Sequence, residues 1–424
     1  MLFRSALRLG ERLGITDAPR LFNYPTAESV FNEHRETTRG RDLDITGLSY
    51  TLLETRGPQQ WPFPEGATTG KARLYEDGMF VTPSGRARFV NTVHKPVAEK
   101  TDARYPLHLN TGRLRDQWHG MSRSGRVARL ANHAEEPLLA LNASDMALRG
   151  LADGDVVSLR SRRGAITVRV AANDEISSGN AYMPMHWGGR SLNSAGVNAL
   201  TVPTLDPLSK QPELKHAAVE IARLNLPFRV VAMKRFTADE GDAALALLDD
   251  ARELLSAFDH ATLGLAGRDH MLVVLRGYHV VAVPDAVLDR IDALFGIAGD
   301  KAMRYVDARK RVEKKACLTD GVVTSVCLAG ETAAQEWLKN MMIEGASAEA
   351  VRPWILAPVA SAPRGSLARG RIVCACHDVS ESDIRNEAHT GLVAVQAKLK
   401  CGTQCGSCLP AVKRLVADNV RVAA

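Results

Sequence analysis

The stretch LHLNTGRLRDQWHGMSRSGRVARL, Leu107 to Leu130, decides how the middle of this chain is read. A strand that ends in Asn110-Thr111-Gly112-Arg113 presents a hydroxyl, free backbone N–H groups and a guanidinium together, the equipment of an anion-binding turn. Taken alone T-G-R is a weak motif, since most such turns bind nothing. Its weight comes from its surroundings.

Those surroundings are strand-rich from Tyr105 to about Leu224. DVVSLRS (Asp155 to Ser161) and AITVRV (Ala165 to Val170) flank the turn residues Arg162 to Gly164, and Ile166, Val168 and Val170 alternate with Thr167 and Arg169. The pattern predicts a hairpin with one buried face. Just ahead, NASDMALRGLADGD predicts a short helix capped by Asn142 or Ser144 and stopped at Gly150, with Asp153-Gly154 turning into the strand. Short helix, turn, strand, turn, strand is the rhythm of a compact barrel, placed at residues 105–224.

On either side the texture changes. Residues 1–104 are irregular, and TRGPQQWPFPEG (Thr55 to Gly66) predicts a long loop with little core of its own. Residues 227–358 combine helical spacing in DAALALLDDARELLSAF (Asp242 to Phe258) and AVLDRIDALFG (Ala286 to Gly296) with a strand-like HMLVVLRGYHVVAVP (His270 to Pro284). This is an α+β domain to which the sequence attaches no role. APVASAPRGSLARG (Ala357 to Gly370) supplies a linker, 359–370, and a linker implies a separate module at 371–424.

Composition narrows the class. With 424 residues, 45% hydrophobic and 24% charged, the chain is an ordinary globular polypeptide long enough for several domains. The net charge of +6 is dispersed, and its densest basic run, DARKRVEKK (Asp307 to Lys315), is interrupted by acids, which predicts a solvated helix face rather than a nucleic-acid groove, so no nucleic-acid partner is expected. No run approaches the roughly 20 apolar residues of a membrane span, so no membrane partner is expected either. MLFRSALRLGERLG at the start predicts an amphipathic helix rather than a targeting segment. Seven cysteines, an odd number crowded towards one end, suit a reducing cytoplasm better than a secreted disulfide framework.

Five of those cysteines fall between Cys374 and Cys408. Cys374-x-Cys376, then 28 residues, then Cys405-x-x-Cys408 gives two close pairs separated by a helical hairpin's length of chain. Four converging thiolates hold either an iron–sulfur cluster or a tetrahedral zinc. Val379-Ser380 followed by Asp383-Ile384 predicts an N-cap serine with a hydrophobic staple, on a helix of about three turns stopped by Gly391. LVAVQAKLK predicts a second helix, and Pro410 the first turn of a third. Gly402 and Gly406 allow backbone N–H groups to face the sulfurs. The C-x-C pair is tight for a zinc knuckle, and His377 is poorly placed as a ligand.

This tail, VCACHDVSESDIRNEAHTGLVAVQAKLKCGTQCGSC, closely resembles the bacterioferritin-associated-ferredoxin-like [2Fe-2S] domain. The resemblance implies Cys374, Cys376, Cys405 and Cys408 as ligands and leaves Cys401 as a spare thiol beside the site. Leu107 to Leu130 in turn resembles the pterin-dinucleotide-binding domain of the molybdopterin oxidoreductases, a double-psi-like β-barrel whose TGR…WH segment wraps a guanine dinucleotide. VNALTVPTLDPLSKQPELKHAAVEI (Val197 to Ile221) resembles that family's closing segment. Carried over residue by residue, the cofactor-binding set is Thr111, Gly112, Arg113, Gln117, Trp118, His119, Asn198 and Lys215. Finally, EHRETTRGRDLDITGLSYTLLETRGPQQWPFPEGA (Glu33 to Ala67) is similar to the stretch ahead of the barrel in bacterial assimilatory nitrate reductases.

Together the resemblances imply a mixed α/β multidomain chain. It comprises a remnant of the oxidoreductase body (1–104), the molybdopterin-dinucleotide-binding barrel, the α+β domain, and a small all-α [2Fe-2S] domain. They imply nitrate reduction to nitrite with bis-molybdopterin guanine dinucleotide and a [2Fe-2S] cluster fed by a flavoprotein or ferredoxin-type donor. The family's C-x₂-C-x₃-C…C [4Fe-4S] site and its molybdenum-binding cysteine have no counterpart here. The expectation is therefore the C-terminal part of a longer enzyme, inactive by itself, its missing N-terminal half holding the [4Fe-4S] cluster. No catalytic residue is assigned. A formate dehydrogenase-like oxidoreductase, and a non-catalytic electron-transfer or zinc-binding module, stay open as alternatives.

Overall fold

A computed structural model describes residues 2–297, 302–363 and 372–422, and the chain divides into two compact units, Met1–Lys95 and Pro96–Ala424. The first has four helices, α1 (Leu2–Arg12), α2 (Ala18–Phe22), α3 (Ala27–Glu36) and α4 (Tyr50–Arg56), and continues from Gly57 without regular elements. α3 starts at a reciprocal cap in which Thr26 and Ser29 each accept, through the hydroxyl, the other's backbone N–H. The long loop expected after Thr55 is fastened at one aromatic, the fully buried Phe63. Its N–H donates to the Asp44 carbonyl, and its carbonyl accepts from Gly47 N–H. The Asp44 carboxylate secures that corner by accepting from Gly40 N–H and from both N–H and O–H of Thr46.

In the second unit six strands close into a barrel: β1 (Leu107–Gly112), β2 (Leu138–Leu141), β3 (Val156–Arg160), β4 (Ala165–Ala172), β5 (Asn180–Pro184) and β6 (His216–Arg223), in the order β1-β5-β2-β4-β3-β6. The β1/β5 and β2/β4 pairings are parallel and the rest antiparallel. Alternation drives the closure. Leu107 and Leu109, Leu139 and Leu141, Val157 and Leu159, and Ile166, Val168 and Val170 all turn inward to one core, each side chain worth about 1.5–3 kcal/mol of burial. The hairpin is β3–β4, with Leu159 opposite Ile166. Two short helices ride on the connections, α5 (Ala128–Ala131) and α6 (Ala143–Leu148). Asn142 rather than Ser144 caps α6, accepting from Ser144 N–H at 2.9 Å.

The next region forms a six-stranded antiparallel sheet from β7 (Phe228–Phe236), β8 (His260–Gly267), β9 (Met271–His279), β10 (Met303–Asp307), β11 (Val312–Thr319) and β12 (Val322–Ala329), in the order β10-β11-β12-β7-β9-β8. Both faces are covered. α7 (Gly241–Asp250) and α8 (Asp285–Phe295) pack one apolar cluster, and α9 (Gln335–Glu344) packs the other. That explains why β9 reads MLVVLRGYH, a nearly unbroken apolar run, instead of alternating. The run DARKRVEKK, expected on a helix face, instead forms the β10–β11 turn and the start of β11, where Arg304 pairs with Glu313.

Most of the expected linker, from residue 364 on, lies outside the described residues. Beyond it come β13 (Ile372–Cys374) and β14 (Val379–Ser380), paired as a two-stranded ladder, and three helices, α10 (Glu381–Glu387), α11 (Leu392–Leu399) and α12 (Leu409–Val422). Ser380 caps α10 with Asp383 as its reciprocal partner. α10 is shorter than the three turns expected: it ends at Glu387 and tightens into a 3₁₀ turn, Ala388–Thr390, before Gly391 at φ +86° opens α11. Val379, Ile384, Val395, Val412 and three of the cysteines form its core.

Barrel and sheet are joined at several places, among them a contact of Thr167 in β4 with His260 in β8 at 3.2 Å. Residues 188–193 lie along the edge of β8, where Ser191 accepts from Leu263 N–H at 3.0 Å and the Asn193 amide bridges Phe258 O and Ala261 N–H. Elsewhere Glu135, on the barrel connection before β2, reaches Arg276 in β9 (2.6 Å) and Lys339 in α9 (2.9 Å). Burial by itself would raise the Glu135 carboxyl, but Lys339 and Arg276 outweigh it and hold it down at about 2. Its charged form therefore stabilises the fold above the ordinary 4.5, and the contribution is lost as pH falls from there through about 2. Glu135→Gln leaves buried Arg276 without its ion-pair partner and Lys339 with Glu336 alone. It is expected to cost about 3 kcal/mol at neutral pH, read as a lower urea midpoint, with the gap to wild type closing between pH 4.5 and 2.

Candidate functional site

Where β1 ends, the chain leaves the barrel in the loop expected to bind a phosphate. Gly112 is required there: a Cβ would lie 2.7 Å from the hydroxyl of Tyr182 on the neighbouring β5. Thr111 is buried, and its hydroxyl, expected to face a phosphate, instead donates to Leu214 O at 3.0 Å, while its N–H donates to Lys215 O. It thus sets the position of exposed Lys215 beside exposed Arg113. Gln117 is buried and donates to Leu130 O, whereas Trp118 is exposed, with His119 edge-on to it and the Arg123 guanidinium 4.9 Å over its ring. Asn198 is exposed on a separate 3₁₀ turn, Val197–Leu200. That turn is held by Gly196 at φ +77°, where a Cβ would strike the Trp187 carbonyl at 2.3 Å.

The residue that organises the loop is one the sequence reading missed, His186. It is 1% exposed, accepts Leu114 N–H at Nε2 (2.8 Å) and donates from Nδ1 to His119 O (2.7 Å), so it pins both ends of 114–119. Only neutral imidazole can do both. Burial lowers its pKa, partly opposed by the His119 carbonyl, and the charges of Arg113, His119 and Lys215 lower it further. Those same charges show that the carried-over basic residues gather around one point. Gln117 Oε1 adds a buried acceptor without a hydrogen-bond partner among the described residues. Clustered cations, an open acceptor and a side-chain-free approach at Gly112 fit the diphosphate and base of a dinucleotide.

In the tail, Cys374 ends β13, Cys376 follows in the turn, and Cys405 and Cys408 lie in the turn entering α12. The thiols fall into two pairs: Cys376 and Cys405 at 3.5 Å, and Cys408 hydrogen-bonded to Cys374. Among the described residues no three His, Cys, Asp or Glu side chains gather around one ion position. Two pairs suit two irons, each taking two thiolates, better than one tetrahedral zinc that needs all four around a point. Gly402 and Gly406, both at φ +76°, shape the turn, and N–H groups of Gly402, Cys405 and Ser407 point at sulfurs. The Ser407 hydroxyl and N–H are the main reason Cys405 is drawn down to about 6, whereas burial pushes Cys408 up to about 12. Cys401 is fully buried beside Cys374, its thiol also raised by burial.

The two sites are in contact. Arg115, on the barrel loop, donates from Nη1 to Cys376 Sγ (3.1 Å) and also reaches Cys405 Sγ and, at 3.4 Å, Ser407 Oγ. Its Nε and Nη2 edge is taken by Asp116, which His133 approaches at 3.4 Å.

Comparison with known proteins agrees with this division. Residues 107–218 match the "Molydopterin dinucleotide binding domain" family and residues 372–418 the "BFD-like [2Fe-2S] binding domain" family. A nitrate reductase of Klebsiella oxytoca is 29% identical over 97% of this chain and 45% of its own length. The assimilatory nitrate reductase catalytic subunit of Bacillus subtilis is 34% identical over 48% of this chain and 28% of its own. The F420-dependent formate dehydrogenase subunit alpha of Methanocaldococcus jannaschii is 34% identical over 51% of this chain and 30% of its own. The chain spans less than half the length of these curated relatives. Among the described residues no helix is long and apolar enough to cross a membrane. Cys405→Ser is expected to abolish a cluster of about two irons and two acid-labile sulfides per chain, and Cys401→Ala to leave it in place, both read by iron and sulfide analysis. Stoichiometric zinc in place of iron would contradict the assignment.

Proposed function

From a chain that carries a molybdopterin-dinucleotide-binding domain and a BFD-like [2Fe-2S]-binding domain, we propose the C-terminal part of a molybdenum-dependent assimilatory nitrate reductase. The observation that carries this reading is the similarity to a nitrate reductase along 97% of the chain, which takes in both cofactor domains and the sheet between them. When bound, the two groups would supply oxygen-atom removal from nitrate at molybdenum and a one-electron relay, with a [4Fe-4S] cluster in the N-terminal half.

The residues of this chain then bind and orient. Thr111 holds the Lys215 backbone, so that Lys215 and Arg113 meet a diphosphate from two sides. Gln117 and Asn198 offer amide groups to a purine or ribose, and His186 keeps the loop between them in one shape. The four cysteines hold the irons as thiolates. No step of nitrate reduction is assigned to a side chain here. The two cysteines outside the tail offer no open thiolate: Cys327 is buried in the sheet with its thiol pushed up to about 12, and Cys317 is raised by burial as well. The chain by itself is proposed to be inactive, and a flavoprotein or ferredoxin-type carrier in the cytoplasm to be the electron donor of the complete enzyme.

A formate dehydrogenase-like reading is favoured by the archaeal formate dehydrogenase subunit, which is similar over 51% of the chain. Assay of the complete gene product separates the two: with reduced viologen as donor nitrite should form from nitrate, and formate oxidation with oxidised viologen as acceptor, without nitrate reduction, would select the alternative. In that complete enzyme, Asn198→Ala combined with Lys215→Ala is expected to lower pterin and molybdenum content while the tail iron stays. A charge-assisted contact contributes about 1.5–3 kcal/mol, so cofactor retention should weaken at least about tenfold. Unchanged molybdenum occupancy in the double variant would remove both residues from the site.

A further inference from the structure

We propose that Arg115, a residue of the barrel loop, raises the reduction potential of the cluster held by the tail cysteines and so couples the two cofactor sites electrostatically. The proposal rests on the [2Fe-2S] reading of the tail. Arg115 is exposed, but its guanidinium is fixed in place. One edge of its guanidinium is committed to Asp116, with Nε 2.7 Å from Oδ1 and Nη2 2.5 Å from Oδ2, and Asp116 is approached in turn by His133. This leaves Nη1 directed at Cys376 Sγ, Cys405 Sγ and Ser407 Oγ. A planar fork held along one edge can present the other in a single orientation. The sulfurs it meets belong to the more accessible thiol pair, since Cys374 and Cys408 are buried.

The energetic consequence follows from charge alone. One electron arriving from an external one-electron donor adds a unit of negative charge, shared with the thiolate sulfurs, and no bond forms or breaks. A cation and an N–H donor in contact with those sulfurs stabilise the reduced form more than the oxidised one, which raises the potential. Asp116 offsets part of the guanidinium charge but lies on its far edge, so the contact at the sulfurs remains cationic. Within the tail itself, the N–H groups facing the sulfurs are backbone dipoles, and among the described residues the full positive charge in contact with them comes from Arg115 on the barrel loop.

The test uses the chain purified with its iron. Wild type, Arg115→Gln, Arg115→Lys and Arg385→Gln are compared, the last removing a tail guanidinium that pairs with Glu381 at 2.7 Å. Iron and acid-labile sulfide are counted first, and each protein is then titrated with dithionite while the paramagnetic resonance of the reduced cluster is followed. Arg115→Gln should retain iron and sulfide, and at the wild-type midpoint its ratio of reduced to oxidised cluster should fall about tenfold, a shift of ~59 mV for a one-electron couple. Arg115→Lys should fall between the two, and Arg385→Gln should stay close to wild type. An unchanged midpoint in Arg115→Gln with its cluster intact, or an equal shift in Arg385→Gln, overturns the proposal. Should Arg115→Gln lose its iron, Arg115→Lys decides by the same criterion. A wild-type chain that takes up zinc and no sulfide instead overturns the cluster reading, which is a different failure.

Discussion

Four consecutive residues on the barrel connection, His133 to Glu136, hold the second unit together. Glu135 is clamped between Arg276 of the sheet and Lys339 of α9, Glu136 pairs with Arg169 on the barrel wall, and His133 meets Asp116 on the loop. One short segment therefore addresses four elements at once, three of them through ion pairs of its carboxylates. Burying these ions is costly unless each is paired, and here the pairing is reciprocal: Glu135 is positioned by Lys339 and by an Arg276 that has no other carboxylate within ion-pair distance among the described residues. The loop arginine that reaches the tail thiols hangs from this arrangement through Asp116. The tail has a second tie, to the sheet, where Arg268 pairs with Asp378 at 3.3 Å.

Within the loop the controlling group is neutral. His186 bonds to both ends of 114–119 in a single tautomer, and its burial first, with the surrounding positive charges added, disfavours its protonation. A cationic binding surface repels its own components, and an uncharged imidazole is a support that does not add to the repulsion. The thiol site uses the opposite means, assembling backbone N–H groups at two glycine-shaped turns so that negative charge on sulfur is accommodated.

Local pattern made much of this readable. Alternation in Ile166, Val168 and Val170 announced the β3–β4 hairpin, and the Ser380–Asp383 spacing announced a helix start; the cysteine spacing marked the two segments, but the thiols meet across them, Cys376 with Cys405, and not within each close pair. What escaped was information held in partners distant along the chain. His186 lies in MPMHWGG, with nothing in its spacing to tie it to a loop more than 60 residues earlier. Arg115 and the tail cysteines are separated by 261 and 290 positions, and Glu135 sits in an unremarkable acidic pair. Thr111 was recognised as important but its hydroxyl is spent on Leu214 O, a bond visible only once β1 and the segment before β6 lie side by side. The early end of α10 has a local cause, the tightening into a 3₁₀ turn ahead of Gly391.

The segment that follows His186 has one more consequence. Within a few residues the same stretch of chain supports the loop and then lies along β8, with Leu192 buried and Asn193 bonded to Phe258 and Ala261. In sequence the barrel looks like a module that could be excised near Leu224 and studied alone. In three dimensions the cut would uncover Leu192, strip Asn193 of its partners and loosen the peptide that carries the histidine. The sheet acts as a splint for the barrel, and a fragment meant to keep the barrel's fold has to include it.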